Sequence, residues 1–98
     1  MKKGTPHCKL AVVKRLIALG QVRMTFSAAT GGQRLGFSAE QIVQTVNNLA
    51  PTDFYKSMTT HDDHTIWQDV YRPRFAAGTL YLKITVIDDL LIVSFKEL

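Results

Sequence analysis

The sequence predicts an α+β fold in which helices pack on one face of a mostly antiparallel sheet. Residues 1–52 show helical spacing with one short strand, and residues 53–98 show strand-like runs. The connections between those runs are short, which favours antiparallel neighbours. Helices followed by strands, in separate halves of the chain, is the order typical of this class.

Length and composition bound the possibilities. A chain of 98 residues makes one domain, residues 1–98, and a hydrophobic fraction of 46% argues against disorder. No stretch reaches the roughly 20 apolar residues of a membrane helix, and Lys14 and Arg15 interrupt the apolar run near the N-terminus. The lone cysteine, Cys8, fits a reducing compartment, so we expect a cytoplasmic protein.

The chain is basic, with a formal charge of +4 and a pI near 9.5. Its first third holds no acid and carries Lys2, Lys3, Lys9, Lys14, Arg15, Arg23 and Arg34. Such a segment favours an anionic partner, of which nucleic acid is the commonest in a cytosol. The alternative is that the charge only keeps a small domain soluble.

Local signals predict three helices. Thr5 and Pro6 suit the cap and first position of a helix that ends at Gly20, and residues 22–26 suit a short strand. A second helix, capped by Ser27, contains two glycines at positions 31 and 32, which cost about 2 kcal/mol of helix propensity, so we expect it to be short, frayed or broken. Ser38 and Gln41 form a capping box for the third helix.

The second half predicts four strands, at residues 54–60, 65–72, 79–87 and 90–97. Asp88 and Asp89 suit a two-residue turn between the last two. The predicted pairs are Tyr81 with Lys96, Leu82 with Phe95, Lys83 with Ser94, Ile84 with Val93, Thr85 with Ile92, Val86 with Leu91 and Ile87 with Leu90. Alternation then puts Leu82, Ile84, Val86, Leu91, Val93 and Phe95 in the core. On the other face the phenol of Tyr81 lies beside the ammonium of Lys96.

Several polar groups are candidates for chemistry. Residues 61–64, HDDH, resemble a metal site, but adjacent ligands rarely converge on one ion, so we predict a polar turn and no metal. A histidine there contacting a phosphate or donating a proton is the alternative. His7, predicted in the first turn of the first helix beside lysines, is either an anion contact or an idle exposed residue. Cys8 suits a small half-buried residue better than a nucleophile.

The strands offer groups suited to RNA cleavage by the neighbouring 2′-hydroxyl. That reaction needs a base, stabilisation of a crowded phosphorane, and a proton for the departing 5′ oxygen. Lysines near other cations, a tyrosine and a glutamine can supply these functions. The candidates are Lys56, Gln68, Tyr81 and Lys96. For Gln68, a hydrogen bond within the core is an equally weighted alternative to a ligand contact.

Other side chains are candidates for binding RNA. Trp67, Tyr71 and Phe75 suit either a stacking platform for bases or the core. The basic corner made by Arg72, Pro73 and Arg74 suits phosphate contacts, or else a solvated turn. We include Arg72, Arg74, Lys83 and His7 as RNA-binding candidates.

The runs DFYKSMTT (53–60), DHTIWQDVYRPR (63–74), YLKITV (81–86) and LIVSFKE (91–97) closely resemble the motility quorum-sensing regulator (MqsR) toxins. The resemblance spans nearly the whole chain. It implies a RelE-like α+β ribonuclease fold and an mRNA interferase that prefers GCU or GCN-type sites and uses no metal or other cofactor. It also implies a partner antitoxin with a zinc-binding N-terminal domain and a helix-turn-helix C-terminal domain.

The family's active-site residues fall on Lys56, Gln68, Tyr81 and Lys96. Residues 27–50 depart most from the family pattern. If this segment contacts the antitoxin or RNA in the family, the departure affects partner choice or substrate access. Two other functions stay open: a non-catalytic basic module that binds RNA or a regulator with steep salt dependence, and a degenerate toxin kept for complex formation.

Overall fold

Three helices and seven strands form the fold in the computed structural model, which describes residues 1–98. In chain order the elements are β1 (Lys2–Lys3), α1 (Leu10–Ala18), β2 (Val22–Met24), α2 (Phe26–Arg34), α3 (Ala39–Asn47), a 3₁₀ turn (Pro51–Asp53), β3 (Phe54–Thr59), β4 (Trp67–Tyr71), β5 (Arg74–Phe75), β6 (Gly78–Ile87) and β7 (Asp89–Glu97). The predicted α+β class is confirmed. None of the helices has the length and apolar character that crossing a membrane requires.

The strands join in the order β1-β3-β4-β6-β7-β2, with β5 paired to β6. Every pair is antiparallel except β2 and β7, which run parallel. The four long strands and β2 are confirmed within a few residues. The sequence pattern missed β1 and β5 because each has only two residues, too few to show alternation.

The helices pack against one face of the sheet and bury it. The shared core consists of Val13, Ala28, Ile42, Val46, Leu49, Tyr71, Leu80, Leu82, Ile84, Leu90, Ile92 and Phe95. Side chains that alternate with the sheet's core residues point to the opposite side, which no helix covers. We call that side the open face.

Helix α1 begins later than its sequence predicts. Its cap is Lys9, without a side-chain hydrogen bond, so the predicted start at Thr5 is wrong. The preceding segment is held away from helical geometry because the carboxylate of Asp69 accepts hydrogen bonds from the backbone N–H groups of His7 (2.9 Å) and Cys8 (3.0 Å). The helix end is as predicted: Gly20 follows it with a φ of 73°.

Helix α2 is continuous, and its predicted break is wrong. Thr25, and not Ser27, caps it by accepting a hydrogen bond from Ala28 N at 3.0 Å. The glycines are there for packing: a Cβ on Gly31 would overlap the backbone carbonyl of Phe95. The capping box of α3 is confirmed, with both reciprocal hydrogen bonds between Ser38 and Gln41 present.

The hairpin of β6 and β7 keeps the predicted register only in the half away from the turn. Tyr81 pairs with Lys96, Leu82 with Phe95, and Lys83 with Ser94. A β-bulge then shifts the register, so that Ile84 pairs with Ile92, Thr85 with Leu91, Val86 with Leu90 and Ile87 with Asp89. The predicted pairs near the turn and the two-residue turn itself are therefore wrong: only Asp88, with a φ of 65°, lies between the paired residues Ile87 and Asp89. The bulge inverts the alternation of β7, which buries Leu90 and Ile92 and leaves Leu91 and Val93 less buried.

Candidate active site

The open face gathers the polar side chains of four adjacent strands. Because Leu82 and Ile84 point into the core, Tyr81, Lys83 and Thr85 point the other way. The pairing registers extend this face to Lys2, Lys56, Met58, Gln68, Val70, Leu91, Ser94 and Lys96. All four predicted catalytic residues therefore lie on one side of one sheet.

Tyr81 and Lys96 lie side by side on this face. They are cross-strand partners, as the hairpin spacing predicts, and the Lys96 Nζ lies 5.5 Å from the centroid of the Tyr81 ring. A second ammonium, that of Lys83, lies 6.0 Å from the same ring. The phenol is half-buried, whereas Lys96 is exposed. The ring of Tyr81 thus has two ammonium groups beside it, on a face that solvent and a ligand can reach.

Lys56 lies in the same region but two strands away. It pairs with Val70, which in turn pairs with Lys83, so the two lysine backbones are about 10 Å apart across the sheet. The Lys56 Nζ lies 5.3 Å from the centroid of the Tyr55 ring, and the Arg72 guanidinium lies 4.5 Å from it. Long lysine side chains can approach one phosphate from opposite sides of this gap.

Gln68 is farther from the pair. It precedes Asp69, the partner of Ile84, so it lies across from Thr85. Thr85 is four residues from Tyr81 along β6, about 13 Å. Gln68 is half-buried on the open face, so the alternative of a core hydrogen bond is wrong. A substrate that contacts both Gln68 and Tyr81 has to extend across the sheet.

Positive charge on the open face is uncompensated. None of its residues is acidic, whereas Lys2, Lys56, Lys83 and Lys96 all belong to it. The protein's one ion pair joins Arg23 and Asp89 at 3.8 Å near the hairpin turn. Arg72 follows Tyr71, the partner of Leu82, and so extends the same charged region beside Tyr81.

Two predicted RNA-binding residues lie elsewhere. The His7 ring stacks on Trp67, with centroids 5.5 Å apart and planes at 15°, at the other side of the sheet, where the Lys3 Nζ contacts both rings. His7 lies before α1, so its predicted place in the first helical turn is wrong. Arg74 is exposed and lines a separate cavity of about 420 Å³ together with Asn48.

The predicted aromatic platform does not exist. Tyr71 is fully buried in the core, where its ring packs edge-on against Phe54. Phe75 packs against Phe37, with ring centroids 5.9 Å apart. Trp67 shares the core-facing side of β4 with Tyr71 and is covered by its cation and histidine neighbours. The three rings therefore serve packing and offer no common surface for bases.

The prediction from sequence assigned no role to Asp69, which is 2% exposed. Besides the two backbone groups before α1, it accepts a hydrogen bond from Ser57 Oγ at 2.6 Å. Burial, and then the Asp69 charge, raise the pKa of the Cys8 thiol, which supports a packing role for this cysteine. The available signal was an acid at a core-facing position of β4, between Trp67 and Tyr71.

The turn at residues 61–64 is a polar connection. Asp63 accepts hydrogen bonds from the backbone N–H and the hydroxyl of Thr65, at 2.8 and 2.6 Å, and these bonds lower its pKa. Nowhere in the chain do three or more His, Cys, Asp or Glu side chains come together in a group suited to a metal ion.

An α+β protein whose open sheet face combines lysines with a tyrosine and lacks acids has the surface of a polyanion-binding protein. Residues 5–97 match the family described as "Motility quorum-sensing regulator, toxin of MqsA", and the chain belongs to that family. It is also 57% identical, over 97 residues and 99% of both chains, to an Escherichia coli (strain K12) protein named mRNA interferase toxin MqsR. The resemblance found in the sequence is confirmed.

Proposed function

We propose that this protein is a growth-arresting toxin and an endoribonuclease that cleaves messenger RNA on its open face. The observation that carries the proposal is the cross-strand pair of Tyr81 and Lys96, flanked by Lys83 on a face without acids. Family membership and the name of the Escherichia coli relative support it. The family resemblance favours cleavage at GCU or GCN-type sequences in mRNA.

The chemistry is attack of a 2′-hydroxyl oxygen on the adjacent phosphorus. A base takes the hydroxyl proton, the new P–O2′ bond forms as the P–O5′ bond breaks, and an acid protonates the departing 5′ oxygen. The products are a 2′,3′-cyclic phosphate and a 5′-hydroxyl. The phosphorane between them carries two negative charges, which cations positioned in advance stabilise.

The side chains of the open face divide this work. Lys96 and Lys56 stabilise the phosphorane, and one of them takes the 2′-hydroxyl proton. Tyr81 serves as the acid or stacks on a base. Gln68 lies about 13 Å from Tyr81 along the sheet, and it positions the substrate. Arg72 and Lys83 contact flanking phosphates.

The reaction we propose uses only these side chains, with no metal and no other cofactor. As a toxin the protein acts in the cytoplasm, and its partner is an antitoxin. By the family resemblance that antitoxin has a zinc-binding N-terminal domain and a helix-turn-helix C-terminal domain.

A 5′-labelled RNA containing GCU, incubated with the protein and EDTA, tests the proposal. We expect cleavage to persist with EDTA and to leave a 2′,3′-cyclic phosphate. Tyr81→Phe and Lys96→Ala should each lower kcat by about 10²- to 10⁴-fold, the usual contribution of a general acid or base. Lys9→Ala, which removes an exposed lysine outside the open face, is the matched control and should cleave normally.

Loss of all cleavage in EDTA, or normal cleavage by both open-face variants, would overturn this mechanism. The acid-free basic face also fits a second function, that of a non-catalytic module that binds RNA or a regulator. The same cleavage assay distinguishes the two functions, because a non-catalytic module binds the labelled RNA but leaves it intact.

A further inference from the structure

A cavity of about 370 Å³ lies beside the last residues of β7. It exists because β2 ends at Met24, the partner of Ile92, so the rest of β7 has no strand beside it on that side. Helix α2 runs along this free edge, anchored by the Thr25 hydroxyl, which donates a hydrogen bond to the Val93 carbonyl at 2.7 Å. The space between helix and strand has the size of a small-ligand site.

The lining of this cavity combines an aromatic ring, cations and hydroxyls. It includes Phe26, Ser27, Thr30, Arg34, Ser94 and Lys96, and no acidic residue. The Phe26 side chain is 87% exposed, the most of any large hydrophobic residue in the protein, and nothing in the fold covers it. Arg34 and Lys96 are also exposed, and neither has an acidic partner within ion-pair distance.

Lys96 belongs both to this cavity and to the pair with Tyr81, so the cavity adjoins the candidate active site. We propose that it holds a nucleotide of the RNA next to the scissile phosphate, with the base stacked on Phe26 and a phosphate bound by Arg34. This inference rests on the proposed function, since it names a substrate contact for the same reaction.

The chemistry of the lining favours single-stranded RNA. Sites for unpaired strands combine a positively charged groove with aromatic side chains on which bases stack, and every base has a face that can stack. The hydroxyls of Ser27 and Thr30 can donate to or accept from base edges and 2′-hydroxyls. Of the three rings considered for a stacking platform, Tyr71 is buried and Trp67 and Phe75 are half-buried, whereas the Phe26 ring is exposed in the cavity that contains Lys96.

Binding of a short RNA whose GCU site carries 2′-O-methyl groups, which block cleavage, tests the cavity. We expect Phe26→Ala to raise its Kd about 5- to 150-fold, the range for loss of one stacked base, and Phe26→Tyr to restore tight binding because the ring remains. Leu19→Ala is the matched control: Leu19 is also a large exposed apolar residue, 63% exposed, but it lies at the end of α1 outside the cavity.

Arg34 is tested by the salt dependence of the same binding. Arg34→Ala should reduce the slope of log K against log salt by about 0.7, the value for one phosphate contact on a single strand. Arg15→Ala should leave the slope unchanged, although Arg15 is likewise an exposed arginine in the last turn of a nine-residue helix.

If the wild-type protein cleaves RNA while Phe26→Ala and Arg34→Ala bind like their controls, the cavity inference is overturned and the proposed function stands. If Phe26→Ala changes only neutralisation by the antitoxin, the cavity is a protein contact and the inference is likewise overturned. If the wild-type protein neither binds nor cleaves RNA, the proposed function itself fails.

Discussion

A single buried carboxylate, that of Asp69, determines how the N-terminal segment meets the sheet. Its three hydrogen bonds, to His7 N, Cys8 N and Ser57 Oγ, link β4 to β3 and to the residues before α1. Hydrogen bonds to a charged group contribute about 1.5–3 kcal/mol each, so this contact outweighs the local preference of Thr5 and Pro6 for a helix start. All of these atoms lie on the helix side of the sheet, away from the candidate active site.

The hydroxyl of Tyr71 has no hydrogen-bond partner in the protein, although the residue is fully buried. A buried polar group without a partner costs about 1–3 kcal/mol. We therefore expect Tyr71→Phe to be at least as stable as the wild type at neutral pH, and up to about 2 kcal/mol more stable, in urea unfolding. A loss of stability greater than about 1 kcal/mol would mean that the hydroxyl forms a stabilising hydrogen bond, for which that size is typical.

The same substitution has an effect at alkaline pH. Burial, followed by the nearby Asp69 and Cys8, raises the pKa of Tyr71 above its ordinary value of about 10. The folded state holds the phenol proton of Tyr71 more tightly than the unfolded state does. The free energy of unfolding therefore does not change with this group below pH ~10, and it falls as the pH rises above that value. Tyr71→Phe removes this part of the alkaline loss of stability, and urea unfolding at neutral and alkaline pH measures it, with Tyr55→Phe, at an exposed tyrosine, as the control variant.

At the scale of elements, α2 shows a conflict between propensity and packing. Gly31→Ala should stabilise an isolated helix by about 1 kcal/mol. In this fold the new Cβ would overlap the Phe95 carbonyl oxygen, a backbone atom that cannot rotate away. We expect a net destabilisation of about 1–3 kcal/mol, the usual cost of overpacking, measured as a lower urea midpoint. Gln33→Ala, on the exposed side of the same helix, is the control and should change stability little. A stabilised Gly31→Ala variant would show that α2 can move away from β7.

Signals that act within one turn of chain were readable from the sequence. The capping box at Ser38 and the helix end at Gly20 both depend on residues three or four positions away. The start of α1 and the continuity of α2 depend instead on Asp69 and Phe95, which lie more than sixty residues along the chain. No local pattern contains such a contact, so those two predictions failed.

The hairpin of β6 and β7 also shows what the sequence pattern cannot predict. Counting outward from a two-residue turn at Asp88 and Asp89 predicted the pairing of Tyr81 with Lys96, although the actual turn is one residue shorter, with Ile87 opposite Asp89. The bulge opposite Lys83 and Ile84 cannot be read from the sequence, since Leu91, Ile92 and Val93 are all apolar and either register buries some of them. The pairing at the candidate site was predicted correctly because the extra residue of the bulge in β7 offsets the shorter turn, so the predicted register holds from Lys83 to Tyr81.

For the molecule as a whole, the two faces of the sheet have different roles: one carries the core that stabilises the fold, and the other carries the candidate binding residues. The helices bury one face, and the side chains that carry the core point there. The open face contributes little to the shared core and is therefore available for lysines whose mutual repulsion a packed interior would not tolerate. A protein built this way can lose a charge from the open face without losing its fold.

This division of roles predicts that the salt dependence of RNA binding changes when a charge is removed from the open face, and not when one is removed elsewhere. Lys83→Ala and Arg15→Ala each remove one positive charge, but Lys83 lies on the open face and Arg15 on the exposed side of α1. Anisotropy titrations of a labelled, 2′-O-methylated RNA over a series of salt concentrations should show a slope lowered by about 0.7 for Lys83→Ala and an unchanged slope for Arg15→Ala. Because net charge changes equally in both, a difference between them reports a phosphate at the open face. Equal slopes would mean that RNA is attracted only by the overall charge of the protein and binds on no particular face.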